Sequence, residues 1–420
     1  MPPTLADPEL ARQFALEVVE RLRGAGWEAY WAGGCVRDEL LGRQPADYDV
    51  ATAAPPDKVR EIFGRRRTLA VGAAFGVMTV LGPENAGHVE VATFRADAAY
   101  TDGRHPAGVT FCSAREDAVR RDFTINGLFY DPLTGEIHDF VGGREDLAAG
   151  VIRAIGVPAL RFGEDHLRML RAVRFAAFFG FAIEGETRAA LERMRHLVSG
   201  VSPERIAAEL RGMVSRPGRR QALELLEETG LAGEVLVELG AFVVVAEREA
   251  WRQSARVVGA LDEPDLPLAL AVLARNHDVA AVDRAAARLR LSKKEACKAR
   301  WMHQALAQLG GKAAGELQSG RWSDLQPLLA FPEAAALADV LRARAACGLG
   351  DPAAAAWVSA QVVRPAYELD PPPLVDGEDL LAAGVPPGPP IGAALARIRS
   401  LQLDGVVMTR DEALAVIRGG

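Results

Sequence analysis

The pattern of apolar and polar positions changes character near residue 147. Before it, short β-rich runs alternate with helical ones from about Ala29 to Phe140: EAYWAG, DYDVAT, FGVMTVLG, HVEVATF, GVTFC and TINGLFYD. Apolar residues at every second position, bounded by turn formers, predict strands, and the helical stretches between them predict an α+β domain built on a sheet. Residues 8–24, PELARQFALEVVERLRG, have helical apolar spacing and stop at a glycine, Gly24, which predicts an amphipathic helix. After about Leu147, strand signals nearly vanish. Long Ala/Leu/Arg/Glu stretches punctuated by Gly and Pro predict an all-helical remainder. Turn chemistry at 216–220 (RPGRR) and 319–322 (SGRW) marks candidate joints. The proline-rich stretches 364–373 (RPAYELDPPP) and 385–392 (VPPGPPIG) cannot be helical throughout. No internal repeat stands out.

The 420 residues allow several domains of roughly 100–200 residues each. A net charge of −7 excludes a polycation, so any nucleic-acid contact must come from local basic patches. Cys35, Cys112, Cys297 and Cys347 lie far apart and suggest neither a zinc site nor a disulfide framework. The N-terminal MPPTLADPEL lacks the basic start and apolar core of a signal peptide. No apolar run reaches the roughly 18 residues of a membrane span. A soluble, cytoplasmic chain with no membrane partner is expected.

The candidate chemistry concentrates in Trp31 to Asp49, WAGGCVRDELLGRQPADYD. Residues i and i+2 of a strand share a face, so ADYDVAT would present Asp47 and Asp49 side by side. Hard oxygen donors in that arrangement suit Mg²⁺, which bridges a few carboxylates to substrate phosphates. Gly33 and Gly34 sit where the helix-like VRDELLG would begin; bare backbone N–H groups at a helix start form an anion site. Asp-x-Asp alone is common at solvated strand ends, and Gly-Gly alone is usually a turn. Together, with Arg37 and Asp38 between them, they point to a nucleotide site.

Further along, Glu90 in HVEVATF offers a third carboxylate on a neighbouring strand. The polar stretch 95–111, RADAAYTDGRHPAGVTF, reads as a mobile loop between strands. In RRDFTINGLFYD (120–131), Arg120 and Arg121 suit phosphates, while Asp122 and Asn126, four apart, could hold a ribose hydroxyl. One continuous helix is expected over 161–181, with Asp165 and Arg168 as i,i+3 neighbours and Arg171 and Arg174 continuing the stripe. Such residues most often form a structural ion pair. They could also read a base. Cytosine and adenine each place an amino donor beside a ring-nitrogen acceptor, which a carboxylate and a guanidinium complement; uracil and guanine show the reverse order. The pair could therefore select C and A without a template. Two basic clusters follow on helical sequence: Arg205, Arg211, Arg216, Arg219 and Arg220, then the denser Arg284, Arg288, Arg290, Lys293, Lys294, Lys298 and Arg300. The second is the candidate RNA-binding surface.

The segments GGCVRD, ADYDVAT, YTDGRHP, RRDFTIN, EDHLRMLRAVRF and SPERIAAEL occur in this order, followed by VDGEDLLAAGVPPGPPIGAAL and LDGVVMTRDEAL. Together they closely resemble the bacterial class II tRNA nucleotidyltransferases, or CCA-adding enzymes. These belong to the polymerase β-like nucleotidyltransferase superfamily, as do the bacterial poly(A) polymerases. The resemblance covers essentially the whole chain. It implies addition of C, C and A to tRNA from CTP and ATP, with Mg²⁺ and release of pyrophosphate. Asp47 and Asp49 match the metal carboxylates, and Gly34 and Arg37 match triphosphate contacts. Arg121 matches a nucleotide contact, with Asp122 and Asn126 near the ribose. Asp165 and Arg168 match the base-reading pair, and Arg171 and Arg174 match further triphosphate-side arginines. The implied architecture is an α+β nucleotidyltransferase head (1–147) followed by an all-α neck (148–215), body (216–315) and tail (316–420). A monomer is expected. Two departures are visible: Arg104-His105 stands where the family usually carries two arginines, and Asn126-Gly127 stands where INA is frequent. The loop after the Glu90 strand is full length, which argues against an enzyme adding only CC. An A-adding specialist, a poly(A) polymerase and a non-catalytic RNA-binding scaffold remain the alternatives.

Overall fold

The structure, a computed structural model, describes residues 7–70, 76–97, 109–240 and 244–418. It divides into two compact units, Met1–Met213 with Gln221–Val235, and Val214–Arg220 with Leu236–Gly420.

The first unit opens with helix α1 (Pro8–Gly24), capped by Asp7, whose carboxylate accepts from the backbone N–H of Glu9 and Leu10. Phe14, Ala15, Val18, Val19 and Leu22 form its buried stripe. Strand β1 (Ala29–Ala32) is buried at all four positions, as expected of a strand in the middle of a covered sheet. Helix α2 (Gly34–Leu40), β2 (Asp49–Thr52), α3 (Pro56–Phe63), β3 (Thr68–Leu69), β4 (Val77–Leu81), β5 (His88–Thr93), β6 (Arg95–Asp97), β7 (Val109–Phe111), α4 (Ala114–Val119), β8 (Leu128–Asp131) and β9 (Glu136–Asp139) follow. The main sheet has seven strands in the order β3-β4-β5-β2-β1-β8-β9. Only β2 and β5 pair in parallel within it, with Asp49 opposite Glu90. Along β5, Val89, Val91 and Thr93 are buried while His88 and Glu90 face outward. Beyond the sheet come α5 (Gly143–Ala149), β10 (Val151–Ile152), α6 (Pro158–Glu164), α7 (Arg168–Phe179), β11 (Ala182–Ile183), α8 (Gly185–Met194) and α9 (Pro203–Val214).

Three expectations change here. Strand β2 begins only at Asp49, so Asp47 lies in the bend before it. The region after Leu147 keeps one small sheet, the parallel pair β10–β11. The helix expected over 161–181 is broken into α6 and α7. Asp165 adopts an extended conformation (φ −146°, ψ 106°), and its carboxylate accepts from the N–H of Leu167 at 3.1 Å. A short acidic side chain that bonds the backbone two residues on competes with the helix. Arg168 then donates to the Arg161 carbonyl at 3.1 Å, satisfying one carbonyl in the last turn of α6.

The regular structure among the second unit's described residues is all helical, including Val245–Gly259 and Arg410–Arg418. Its helix Leu266–Leu273 is buried at every position. The proline-rich stretches are partly helical: Pro389 opens Pro389–Leu403, and Ala366–Leu369 is a single turn. Proline is tolerated there because first-turn N–H groups have no helical partner. No helix among the described residues is long and apolar enough to cross a membrane.

Candidate nucleotide site

The parallel pairing of β2 and β5 sets Asp49 and Glu90 side by side on the outward face, with Asp47 two residues upstream. Crowding by the surrounding protein and repulsion from Asp47 and Glu90 push the Asp49 carboxyl up to about 6, with Arg121 opposing. Asp49 as a whole residue is nevertheless exposed. Like charges held together this way have much to gain from a cation. No group of three or more acidic, histidine or cysteine side chains among the described residues forms a ready-made metal cage. Two carboxylates left open on one side instead fit an ion that keeps waters and phosphate oxygens in its shell.

Across β1 lies the glycine turn. Gly33 is the N-cap of α2 at φ 73°, and its N–H donates to the Leu128 carbonyl at 3.1 Å. A Cβ at Gly33 would stand 2.8 Å from Arg121 Nη1. Gly34 opens α2 as expected. Arg37 is not at the surface. It is buried, donating to Asn126 Oδ1 at 2.6 Å and to Asp38 at 2.9 Å, and its guanidinium lies over the rings of Phe179 (4.6 Å) and Phe175 (5.3 Å). It thus ties α2 to the 122–126 segment and to α7.

Arg121 is held by Asp117 through Nε (3.2 Å) and Nη2 (3.0 Å), over the Phe129 ring. Burial pushes Asp117 up, but Arg121 and Arg120 outweigh it and hold the carboxyl below its ordinary value. Asp122 and Asn126 do meet, with Asn126 Nδ2 donating at 3.0 Å. Burial opposes the charge on Asp122, yet Arg171, Asn126 and the Phe123 N–H bring its carboxyl down to about 2.

Asp165 and Arg168 are not paired with each other. Asp165 accepts from Arg205 of α9 at 2.7 Å, and Arg168 donates to Glu164 at 2.6 Å. Arg171 reaches Asp122 (2.8 Å) and Glu209 (3.9 Å), and Arg174 reaches Glu209 (2.6 Å). Arg205, grouped above with a basic cluster, thus belongs to this network. Asp117, Glu164 and Glu209 were missed. Glu164 and Arg168 stand four apart, as do Asp117 and Arg121, a spacing that could have flagged them. Glu209 carries no such local signal, since its partners lie in another helix. The loop segment YTDGRHP, with Arg104 and His105, lies outside the described residues.

The dense basic cluster is less positive than its sequence suggests. Arg288 meets Glu238 (2.7 Å), Lys298 meets Asp265 (2.8 Å), Arg300 meets Asp283 (2.8 Å), and Arg284 approaches Asp278 (3.9 Å). Arg290 sits at φ 49° between helices, and Lys293 and Lys294 are exposed in the first turn of Lys293–Leu309.

Residues 29–153 match the family of the poly A polymerase head domain, and residues 180–242 match the probable RNA- and SrmB-binding site of polymerase A. The CCA-adding enzyme of Anoxybacillus flavithermus is 43% identical over 256 residues, 58% of this chain and 63% of its own length. That of Geobacillus stearothermophilus is 43% identical over 220 residues, 52% of this chain and 53% of its own length. Over these stretches the chain is similar to poly A polymerase head domains and to CCA-adding enzymes. Its sequence matches span between about half and two thirds of these relatives' length. The structure of the Bacillus stearothermophilus CCA-adding enzyme in complex with CTP is similar over 100% of this chain and 98% of that one, with 29% identity and a TM-score of 0.76. The Thermotoga maritima CCA-adding enzyme complexed with tRNA shares the fold, with a TM-score of 0.67 at 21% identity. The α+β nucleotidyltransferase head followed by a mostly helical region therefore matches the fold of these CCA-adding enzyme structures.

Proposed function

We propose that this chain is a template-independent tRNA nucleotidyltransferase that adds the 3′-terminal C, C and A from CTP and ATP and releases pyrophosphate. The observation that carries the reading is the separation of Asp165 from Arg168. Each is neutralised by a different neighbour, Arg205 and Glu164, so their polar edges are not consumed by one another. A base with an amino donor beside a ring acceptor can engage both.

In this reading Asp47 and Asp49 hold Mg²⁺, with Glu90 beside them. A Mg²⁺ held by these carboxylates would supply Lewis acidity toward the attacking 3′-hydroxyl and charge neutralisation for the phosphates. Arg121, Arg171 and Arg174, fixed by Asp117, Asp122 and Glu209, supply preorganised positive charge toward the triphosphate, as do the backbone N–H groups at Gly33 and Gly34. Asp122 and Asn126 lie at the ribose. Arg37 acts from behind, by holding the glycine turn. Catalysis is then mostly positioning and charge stabilisation. The enzyme acts as a cytoplasmic monomer, with head, neck, body and tail meeting near residues 147, 215 and 315. The exposed Lys293 and Lys294 contribute to RNA binding.

The test is incorporation of labelled CTP and ATP, separately and together, into tRNA transcripts lacking CCA, ending in C, and ending in CC, with unstructured RNA as control. C then A on the shortest transcript is expected. Addition of A alone to the CC-ended transcript would make it an A-adding specialist. Long A tails on the control RNA would make it a poly(A) polymerase.

A further inference from the structure

The second unit contains three arginines that neither the nucleotide site nor the basic cluster uses. Arg256 lies in helix Val245–Gly259, Arg275 follows helix Leu266–Leu273, and Arg344 lies in helix Ala334–Ala346. The first of these helices packs against both others. Arg275 Nη2 donates to Gln253 Oε1 at 2.5 Å, Gln253 donates to Glu249 at 3.1 Å, and Arg256 reaches the same Glu249 oxygen at 3.4 Å. Arg344 donates to the carbonyls of Gly310 and Leu349, both at 3.1 Å. Among these contacts Glu249 is the one carboxylate, and the guanidinium it touches is that of Arg256. The Nε atoms of all three arginines are buried without a hydrogen-bond partner.

Such an arrangement is costly as it stands. A buried N–H left unsatisfied forfeits its hydrogen bond to water without replacement, and unbalanced positive charge adds to that cost. Burial and the charge of Arg256 hold Arg275 below the ordinary arginine value, and burial and Arg275 do the same to Arg344. The Arg256 side chain remains 40% exposed, so the group is open to solvent on that side. An anion with several acceptor oxygens removes both costs at once, and the guanidinium fork matches phosphate geometry.

We propose that Arg256, Arg275 and Arg344 form a binding site for a phosphate group of the RNA backbone, separate from the nucleotide site. The proposal rests on the reading of this chain as a tRNA enzyme. A diester phosphate fits because the three groups offer positive charge and donors but no base-reading acceptor other than Gln253 and Glu249, which they already occupy.

The experiment is equilibrium binding of the full-length chain to a tRNA transcript lacking CCA, across a salt series, for the unmodified protein, Arg256→Gln and Glu249→Gln. Arg256→Gln removes a partly exposed side chain and is expected to weaken binding roughly tenfold near 0.1 M salt, lowering the slope of log K against log salt by about 1. Glu249→Gln removes the competing carboxylate and is expected to tighten binding several-fold, an effect that a merely structural role would not produce. Unchanged affinity and slope in both variants would overturn the proposal. So would a melting temperature raised by inorganic phosphate over chloride at equal ionic strength and lost in Arg256→Gln, if tRNA affinity stayed the same; the group would then take free anions only. Failure of the underlying reading is a different result, in which the unmodified chain neither binds tRNA nor extends it.

Discussion

Asp47 and Asp49 differ in what the fold asks of them. Asp49 is anchored in β2 beside Glu90, whereas Asp47 stands in the bend before it. Asp47→Ala should abolish incorporation of both CTP and ATP while leaving tRNA affinity within about twofold, because the groups proposed to bind RNA belong to the second unit; a parallel loss of tRNA binding would remove its metal role. At the other end of the site, Asp165→Ala or Arg168→Ala should relax base choice more than it slows transfer, read as misincorporation of UTP and GTP against the rate with CTP. Unchanged selectivity would refute base reading by this pair. Asp122 gives a pH-dependent prediction. Its folded pKa lies below the unfolded value, so it stabilises the protein above pH 4, and that contribution is lost as pH falls toward 2. That lowering corresponds to on the order of 2–3 kcal/mol. Asp122→Asn should therefore lower stability at pH 7 by that order, measured by denaturant unfolding, and the gap to the unmodified chain should narrow between pH 4 and pH 2.

Among the elements, the turn from β1 into α2 is the one most tightly specified. Gly33 sits at φ 73° and ψ −121°, where a side chain is strained, and a Cβ would also crowd Arg121. Gly33→Ala should cost about 1–3 kcal/mol in thermal unfolding and reduce incorporation of both nucleotides together, since it displaces an arginine common to both. Gly34→Ala, with its nearest contact at 3.7 Å and no positive φ, should be nearly silent in stability. The basic helix Lys293–Leu309 divides in the same manner. Replacing exposed Lys293 and Lys294 by Ala should lower the salt slope of tRNA binding by about 1–2, whereas replacing Arg300, already matched by Asp283, should change it little. Helix α7 was legible in the sequence as an amphipathic run, yet its start was not. Helical spacing favours one continuous helix over 161–181. The Asp165 carboxylate bonding the Leu167 N–H, and the Arg205 guanidinium waiting in α9, break it instead.

At the scale of the molecule, the change from alternating strands to helices near residue 147 was readable in periodicity, and so was the order of the site segments along the chain. The glycine turn before α2 was readable as a local pattern, whereas the shared strand face expected for Asp47 and Asp49 was not, since β2 begins only at Asp49. The pairing of charges was not. Arg174 meets Glu209 across 35 positions, Arg171 meets Asp122 across 49, and Arg37 meets Asn126 across 89. A sequence carries the charges but not the distances between them. Only tertiary packing decided that Arg37 is buried behind the turn, that Arg205 serves Asp165, and that Arg284, Arg288, Lys298 and Arg300 stand beside carboxylates. The sequence by itself determined which local elements form and which chemical groups they carry, because backbone propensity and periodicity act over a few residues. The tertiary structure decided which groups remain available to a ligand, because ion pairing and burial depend on neighbours brought together from distant parts of the chain.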